Sequence, residues 1–172
     1  PTADPQQTVR RQSFRFVWCT AQGWQQIKSD TVYPGDDYVD VIAQDVYNQT
    51  WTASVVTPEQ RWNELMTQSY GLKWLRDFAN MHGKPMAFPE WGTGTRPDGH
   101  GAGDDPYFIQ QMAQWIGQNN VVFHGYWDFA AKDFNAKLSD GSKPLAGAAF
   151  LAAFKNQPLA PTNFGTSGRA AK

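Results

Sequence analysis

Apolar residues along this chain gather into four short runs, with longer stretches of different rhythm between them. Phe14 to Thr20 (FRFVWCT), Asp40 to Tyr47 (DVIAQDVY), Lys84 to Glu90 (KPMAFPE) and Asn120 to Phe129 (NVVFHGYWDF) are of strand length and rich in aromatic and β-branched residues. Near-continuous apolar runs fit strands covered on both faces, as in a parallel sheet. In Pro58 to His82, Trp62, Leu65, Met66, Leu72, Leu75, Phe78 and Ala79 recur near the helical period. Thr57 suits the cap of that helix, Pro58 its first position and Gly83 its stop. A second helix is predicted over Asp105 to Gln118, with Asp105 as cap, and a third, rich in small residues, over Lys143 to Lys155. Gln22 to Tyr38 reads as loop, turning at Pro34-Gly35-Asp36-Asp37.

The order strand, loop, strand, helix, strand, helix, strand, helix predicts an α/β fold on a parallel sheet. One domain is expected, its core spanning about residues 14–155, with residues 160–172 a loose tail. The start at Pro1 is neither an initiator methionine nor a signal peptide, so it reads as internal to a longer product.

Composition removes several function classes. Charged residues are 18% and the net charge is −1, so nothing favours nucleic acid or an acidic membrane surface. No apolar run approaches the roughly 20 residues that span a bilayer. Cys19 is alone. His82, His100 and His124 lack metal-ligand spacing, so no metal is expected, and no cofactor is implied. The loop from Gly92 to Gly103 is glycine-rich but lacks the spacing of a phosphate-binding loop; a substrate-shaping loop is expected instead. The informative figure is 15% aromatic residues with eight tryptophans. Most tryptophans belong in a core, but flat aromatic faces are also what sugar rings stack against.

In barrels built of such units, reacting groups stand at the C-terminal ends of strands. Those ends carry Trp18-Cys19, Asp45 with Tyr47, Glu90 with Trp91, and Trp127 with Asp128. The chain has three glutamates, Glu59, Glu64 and Glu90. The first two fall in the helix after Pro58, where a solvated face explains them. Glu90 ends an apolar strand, where a carboxylate would face the mouth of a barrel; a salt-bridged or capping glutamate is the bland alternative.

Three segments resemble a known family. YPGDDYVDVIAQDVY (Tyr33 to Tyr47) is similar to the strand-six region of glycoside hydrolase family 26, KPMAFPEWG (Lys84 to Gly92) to its strand-seven nucleophile motif, and GYWDF (Gly125 to Phe129) to strand eight of its wider clan. The resemblance covers roughly Phe14 to Phe154. It implies the C-terminal half, strands five to eight, of a (β/α)₈ barrel, and a retaining, endo-acting β-glycanase related to β-mannanases. By position it implies Glu90 as nucleophile, Tyr47 as its hydrogen-bonding partner and Asp45 as the acid two residues before. Trp127 would floor the cleavage subsite, with Tyr126 the alternative if the register differs by one. Trp91 and Trp18 are further substrate-binding candidates. Ala43 stands where the family often has glycine.

One element of the family pattern is absent. Its acid/base is a glutamate preceded by histidine, and no His-Glu dipeptide occurs in this chain. Retaining hydrolysis needs two carboxyls about 5–5.5 Å apart. The expected partners are therefore a polysaccharide or oligosaccharide and either the N-terminal half of the barrel or a second copy. The isolated chain is expected to be inactive. A non-catalytic sugar-binding or half-barrel assembly module is the alternative. A polymeric substrate implies a secreted or periplasmic location. Mannan, mixed-linkage β-glucan and xylan all stay open.

Overall fold

The computed structural model describes residues 14–155; the expected tail at 160–172 and the reading of Pro1 lie outside the described residues. Four strands, β1 (Val17–Ala21), β2 (Val41–Asn48), β3 (Met86–Thr93) and β4 (Val121–Tyr126), form one sheet in the order β1-β2-β3-β4. Every pairing is parallel. The helices are α1 (Pro58–Thr67), α2 (Leu72–Met81), α3 (Pro106–Gln118) and α4 (Pro144–Phe154). A short 3₁₀ turn, Ser29–Val32, lies in the stretch read as loop.

Caps fix the helix starts. The Thr57 side chain accepts from the Gln60 backbone and Gln60 reaches back, a reciprocal capping box with Pro58 in the first turn. Asp105 accepts from Phe108 N at 3.1 Å, and its other oxygen takes a bond from the Asn48 amide at 2.8 Å, tying α3 to the end of β2. The predicted single helix over Pro58 to His82 is corrected: it is two. The chain breaks at Gln68 to Gly71, where Tyr70 takes a left-handed φ of 52°. A Cβ on Gly71 would stand 2.6 Å from the Leu65 carbonyl, so the corner tolerates only glycine. A run of apolar residues with correct spacing on both sides hid the corner from periodicity alone.

The two faces of the sheet differ. Ile42, Val46, Met86, Phe88 and Trp91 share one core with Leu65, Leu75, Phe108, Met112 and Ala146, so all four helices cover the same face. The opposite face carries a smaller apolar group, Val41, Ala43 and Ala87 with Val122 and Phe123 packed against it. At its edge Val17 and Cys19 are exposed.

Candidate active site

Side chains alternate along β2. Ile42 and Val46 enter the helix-side core, while Val41 and Ala43 lie on the other face. That alternation sends Asp45 and Tyr47 to the face away from the helices. On β3, strict alternation from Ala87 would send Glu90 toward the helices and Trp91 away from them. The register shows why the reverse happens. Between the pairs Ala43↔Ala87 and Val46↔Trp91, β2 has Gln44 and Asp45 where β3 has Phe88, Pro89 and Glu90. Between Phe88↔His124 and Trp91↔Tyr126, β4 has only Gly125 opposite Pro89 and Glu90. One extra residue in β3 therefore re-aims everything after it, as bulges beside reactive groups do. Pro89 has no N–H to lose there. Its carbonyl presses on β4, where a Cβ on Gly125 would meet it at 2.8 Å.

The bulge brings Glu90 to Tyr47. The phenol donates to Glu90 Oε2 at 2.6 Å, and both side chains are half-buried. Burial, followed by the bond to Glu90, pushes the Tyr47 phenol well above its ordinary range, so it stays a donor. Phe134 meets the Tyr47 ring edge-on at 4.9 Å and is itself buried, which fixes the ring. Asp45 lies on the same face, and Cys19 Sγ donates to its Oδ1 at 3.5 Å. Burial first, with the charge of Glu90 also contributing, raises the Asp45 carboxyl above its usual value. Partial shielding of the Cys19 sulfur from water, followed by Asp45, pushes the thiol up to about 12, so it remains a thiol and a poor nucleophile.

Three of the aromatic candidates belong to the core rather than to a binding surface. Trp91 is 0% exposed, with Tyr126 at 5.1 Å, Phe154 at 5.8 Å and Phe150 at 6.0 Å around its ring. The bulge that frees Glu90 is what buries it. Trp18 packs on Tyr33 at 5.0 Å and Phe78 at 5.6 Å, because on β1 it shares the helix-side face with Thr20, while Cys19 takes the other. Tyr126 also points helix-side, and its hydroxyl donates to the Ala136 carbonyl at 2.9 Å. That leaves Trp127, one residue past β4 and half-buried, its backbone N–H held by Trp91 O at 2.9 Å and its ring against Phe129. Asp128, also at that strand end, takes the backbone N–H groups of Leu138 and Ser139 and closes a loop.

Two other features depart from the sequence reading. Glu64 is not a merely solvated helix residue: its carboxylate accepts from the hydroxyls of both Thr50 and Thr52. The glycine-rich loop after β3 is closely packed, with Gly101 bridging to Gln49 and Arg96 clasping both Asp98 and Gln49. A Cβ on Gly94 would lie 2.2 Å from the Asn135 carbonyl, so its glycines serve close approach of backbones. Phe134, far along the chain from Tyr47, carried no sequence signal. Among the described residues no cluster of His, Cys, Asp or Glu is arranged to hold a metal, and no helix is long and apolar enough to cross a membrane.

Comparison with known proteins bears out the family resemblance over part of the chain. Residues 6–84 match Glycosyl hydrolase family 26. The match ends before β3 begins, so Glu90 lies beyond it. No curated protein sequence matches the chain. Similar solved structures include a Cellulomonas fimi endo-β-1,4-mannanase double mutant, at 22% identity and TM-score 0.47, covering 80% of this chain and 31% of that one. The catalytic domain of a Bacillus sp. JAMB-750 family 26 endo-β-1,4-mannanase aligns at 18% identity and TM-score 0.47, covering 78% of this chain and 36% of its own. A family 113 β-1,4-mannanase aligns at 18% and 0.48, covering 82% and 45%. This chain thus spans less than half the length of each.

Proposed function

We propose that this chain, a match to glycosyl hydrolase family 26 over residues 6–84, supplies the nucleophile-bearing half of a retaining β-glycanase. The observation that carries the reading is the bond between Tyr47 and Glu90 on the face of the sheet left free by the helices. A β-linked polysaccharide would lie across that face with Trp127 beneath the ring being cleaved. Glu90 attacks the anomeric carbon, the glycosidic C–O bond breaks, and a glycosyl–enzyme ester forms; water then hydrolyses it. Tyr47 donates to the carboxylate and orients it for attack. Asp45, whose carboxyl is held above its usual value by burial, lies on the same face as Glu90.

The leaving oxygen needs a proton from a second carboxyl, which we assign to a complementary half-barrel. A doubly wound sheet reverses its strand order and carries helices on both faces. Here the order runs straight from β1 to β4 and all helices pack on one face, as in a segment of a (β/α)₈ barrel. The face carrying Val41, Ala43 and Ala87 would then meet side chains of the missing strands. The polymeric substrate places the enzyme outside the cytoplasm. The test is release of reducing ends from β-mannan, mixed-linkage β-glucan and xylan by the completed barrel. Activity on at least one, lost in Glu90→Ala and kept in Glu59→Ala, supports the reading; full activity in Glu90→Ala refutes it.

A further inference from the structure

Three polar side chains are shut away from water where β2 and β3 end. Asn48 is 1% exposed, Thr93 0% and Asp105 4%. Polar groups buried this deeply are costly unless they are paired. Asn48 Nδ2 donates to Asp105 Oδ2 at 2.8 Å and to Thr93 Oγ1 at 3.1 Å. The Thr93 hydroxyl donates in turn to the Gly103 carbonyl at 3.0 Å. Asn48 Oδ1 is buried without a partner, so the nitrogen alone holds this side chain in place. Asp105 is the firm end of the chain of bonds. Its Oδ1 accepts from Phe108 N at 3.1 Å at the start of α3, and Phe108, Ile109 and Met112 seat that helix in the core.

Asn48 directly follows Tyr47, and Thr93 stands three residues after Glu90. The bulge at Pro89-Glu90 puts β3 one residue out of step with β2, and pairing resumes at Val46↔Trp91, Tyr47↔Gly92 and Asn48↔Thr93. Backbone hydrogen bonds do not distinguish one register from the next, yet a one-residue slip moves every side chain to the other face. Carried on from Ala43↔Ala87 without the bulge, the pairing would set Asn48 against Gly92, which has no side-chain acceptor, and would leave Glu90 on the helix side. The bonds of Asn48 to Thr93 and Asp105 therefore form only in the register that brings Glu90 to Tyr47.

We propose that Asp105 is a positioning residue for the nucleophile. Acting through the Asn48 amide, it holds the shifted register of β2 on β3 and so keeps the Tyr47 hydroxyl on Glu90. It works from the helix side of the sheet, opposite the face on which Glu90 and Tyr47 meet. The proposal rests on the reading of Glu90 as nucleophile.

The test exchanges the two partners in the completed barrel. Asp105→Asn keeps an oxygen for Phe108 N but loses the acceptor for the Asn48 amide. Asn48→Asp sets a second carboxylate against the first. The double exchange restores one amide facing one carboxylate, with the direction of the bond reversed and an oxygen left for the Thr93 hydroxyl. Each protein is labelled with a saturating 2-deoxy-2-fluoro glycosyl fluoride and followed by intact-mass spectrometry. The amplitude counts folded protein, and the first-order rate constant reads how well the nucleophile is aimed. The rate constant should fall about tenfold to a hundredfold in Asp105→Asn, the scale of a small misplacement at a reacting centre, and recover most of that loss in the double exchange. Thr93→Val, which removes one acceptor and leaves Asp105 in place, should lower it by a smaller factor. A reduced amplitude with an unchanged rate constant in Asp105→Asn would make Asp105 merely structural and overturn the proposal. So would a folded double exchange that labels no faster than Asp105→Asn. If the double exchange does not fold, the rate constants of Asp105→Asn and Thr93→Val decide, and parental values in both overturn it. A parent enzyme labelled on a carboxylate other than Glu90 sinks the nucleophile reading instead, whereas a parent labelled on Glu90 at a rate indifferent to Asp105 sinks the positioning role alone.

Discussion

Replacing Tyr47 with phenylalanine removes one hydroxyl and leaves the ring in place. Phe134, which contacts that ring edge-on at 4.9 Å, keeps its partner, so packing changes little. What is lost is the 2.6 Å bond from the phenol to Glu90 Oε2. A hydrogen bond to an ionised acceptor is worth about 1.5–3 kcal/mol. At 1.36 kcal/mol per decade, kcat/KM should fall by about one to two orders of magnitude. The assay is kcat/KM on a soluble β-glycan for the completed barrel and its Tyr47→Phe variant. Phe134→Leu serves as the packing control: it loosens the ring but keeps the hydroxyl, and should cost less than Tyr47→Phe. An unchanged rate in Tyr47→Phe would refute the coupling. An equal loss in both variants would assign it to packing.

His124 should make stability fall in acid. Burial pushes its imidazole below the ordinary 6.5, and Trp91 Nε1 donates to its Nδ1 at 3.2 Å, which requires a neutral ring. Because the folded value lies below the unfolded one, this contribution is fully present above 6.5 and is lost as pH falls through the lowered value. Tm should therefore drop between about pH 7 and 5 in the parent and less in His124→Gln; equal slopes would count against it. Gly71→Ala should destabilise by about 1–3 kcal/mol in denaturant unfolding, since its Cβ would press on the Leu65 carbonyl, while Gly117→Ala, open on α3, should stabilise by about 0.4–1 kcal/mol. Reversed signs would contradict the described packing. The 172-residue chain alone should self-associate or unfold without cooperativity, because β1 and β4 each pair on one side only among the described residues. Light scattering showing a monodisperse monomer with a sharp melting transition would contradict the half-barrel reading.

Much of this was legible in the sequence, for local reasons. The four strands announce themselves as short apolar runs, and the caps at Thr57 and Asp105 as capping residues before proline. Glu90 stood out because it ends an apolar run, and Tyr47 and Asp45 through family resemblance. What escaped depends on neighbours in space. Periodicity cannot reveal the corner at Gly71, because the apolar stripe resumes beyond it. The bulge at Pro89-Glu90 shows only in register with β2 and β4, and it decides that Glu90 and not Trp91 reaches the open face. Trp18 and Tyr126 pack on the helix side for a related reason: a strand end names two adjacent residues, and only the sheet says which faces the helices. Phe134 and Glu64 act through contacts made across loops, where no periodic pattern exists to be read.

The central claim is that Glu90 becomes covalently attached to sugar. The most direct measurement is mass spectrometry of the completed barrel after reaction with a 2-deoxy-2-fluoro glycosyl fluoride, whose fluorine slows hydrolysis of the intermediate and lets it accumulate. The account predicts a single glycosyl adduct on the peptide containing Glu90, absent in Glu90→Ala. An adduct on any other carboxylate, or an active enzyme that never labels Glu90, would contradict it.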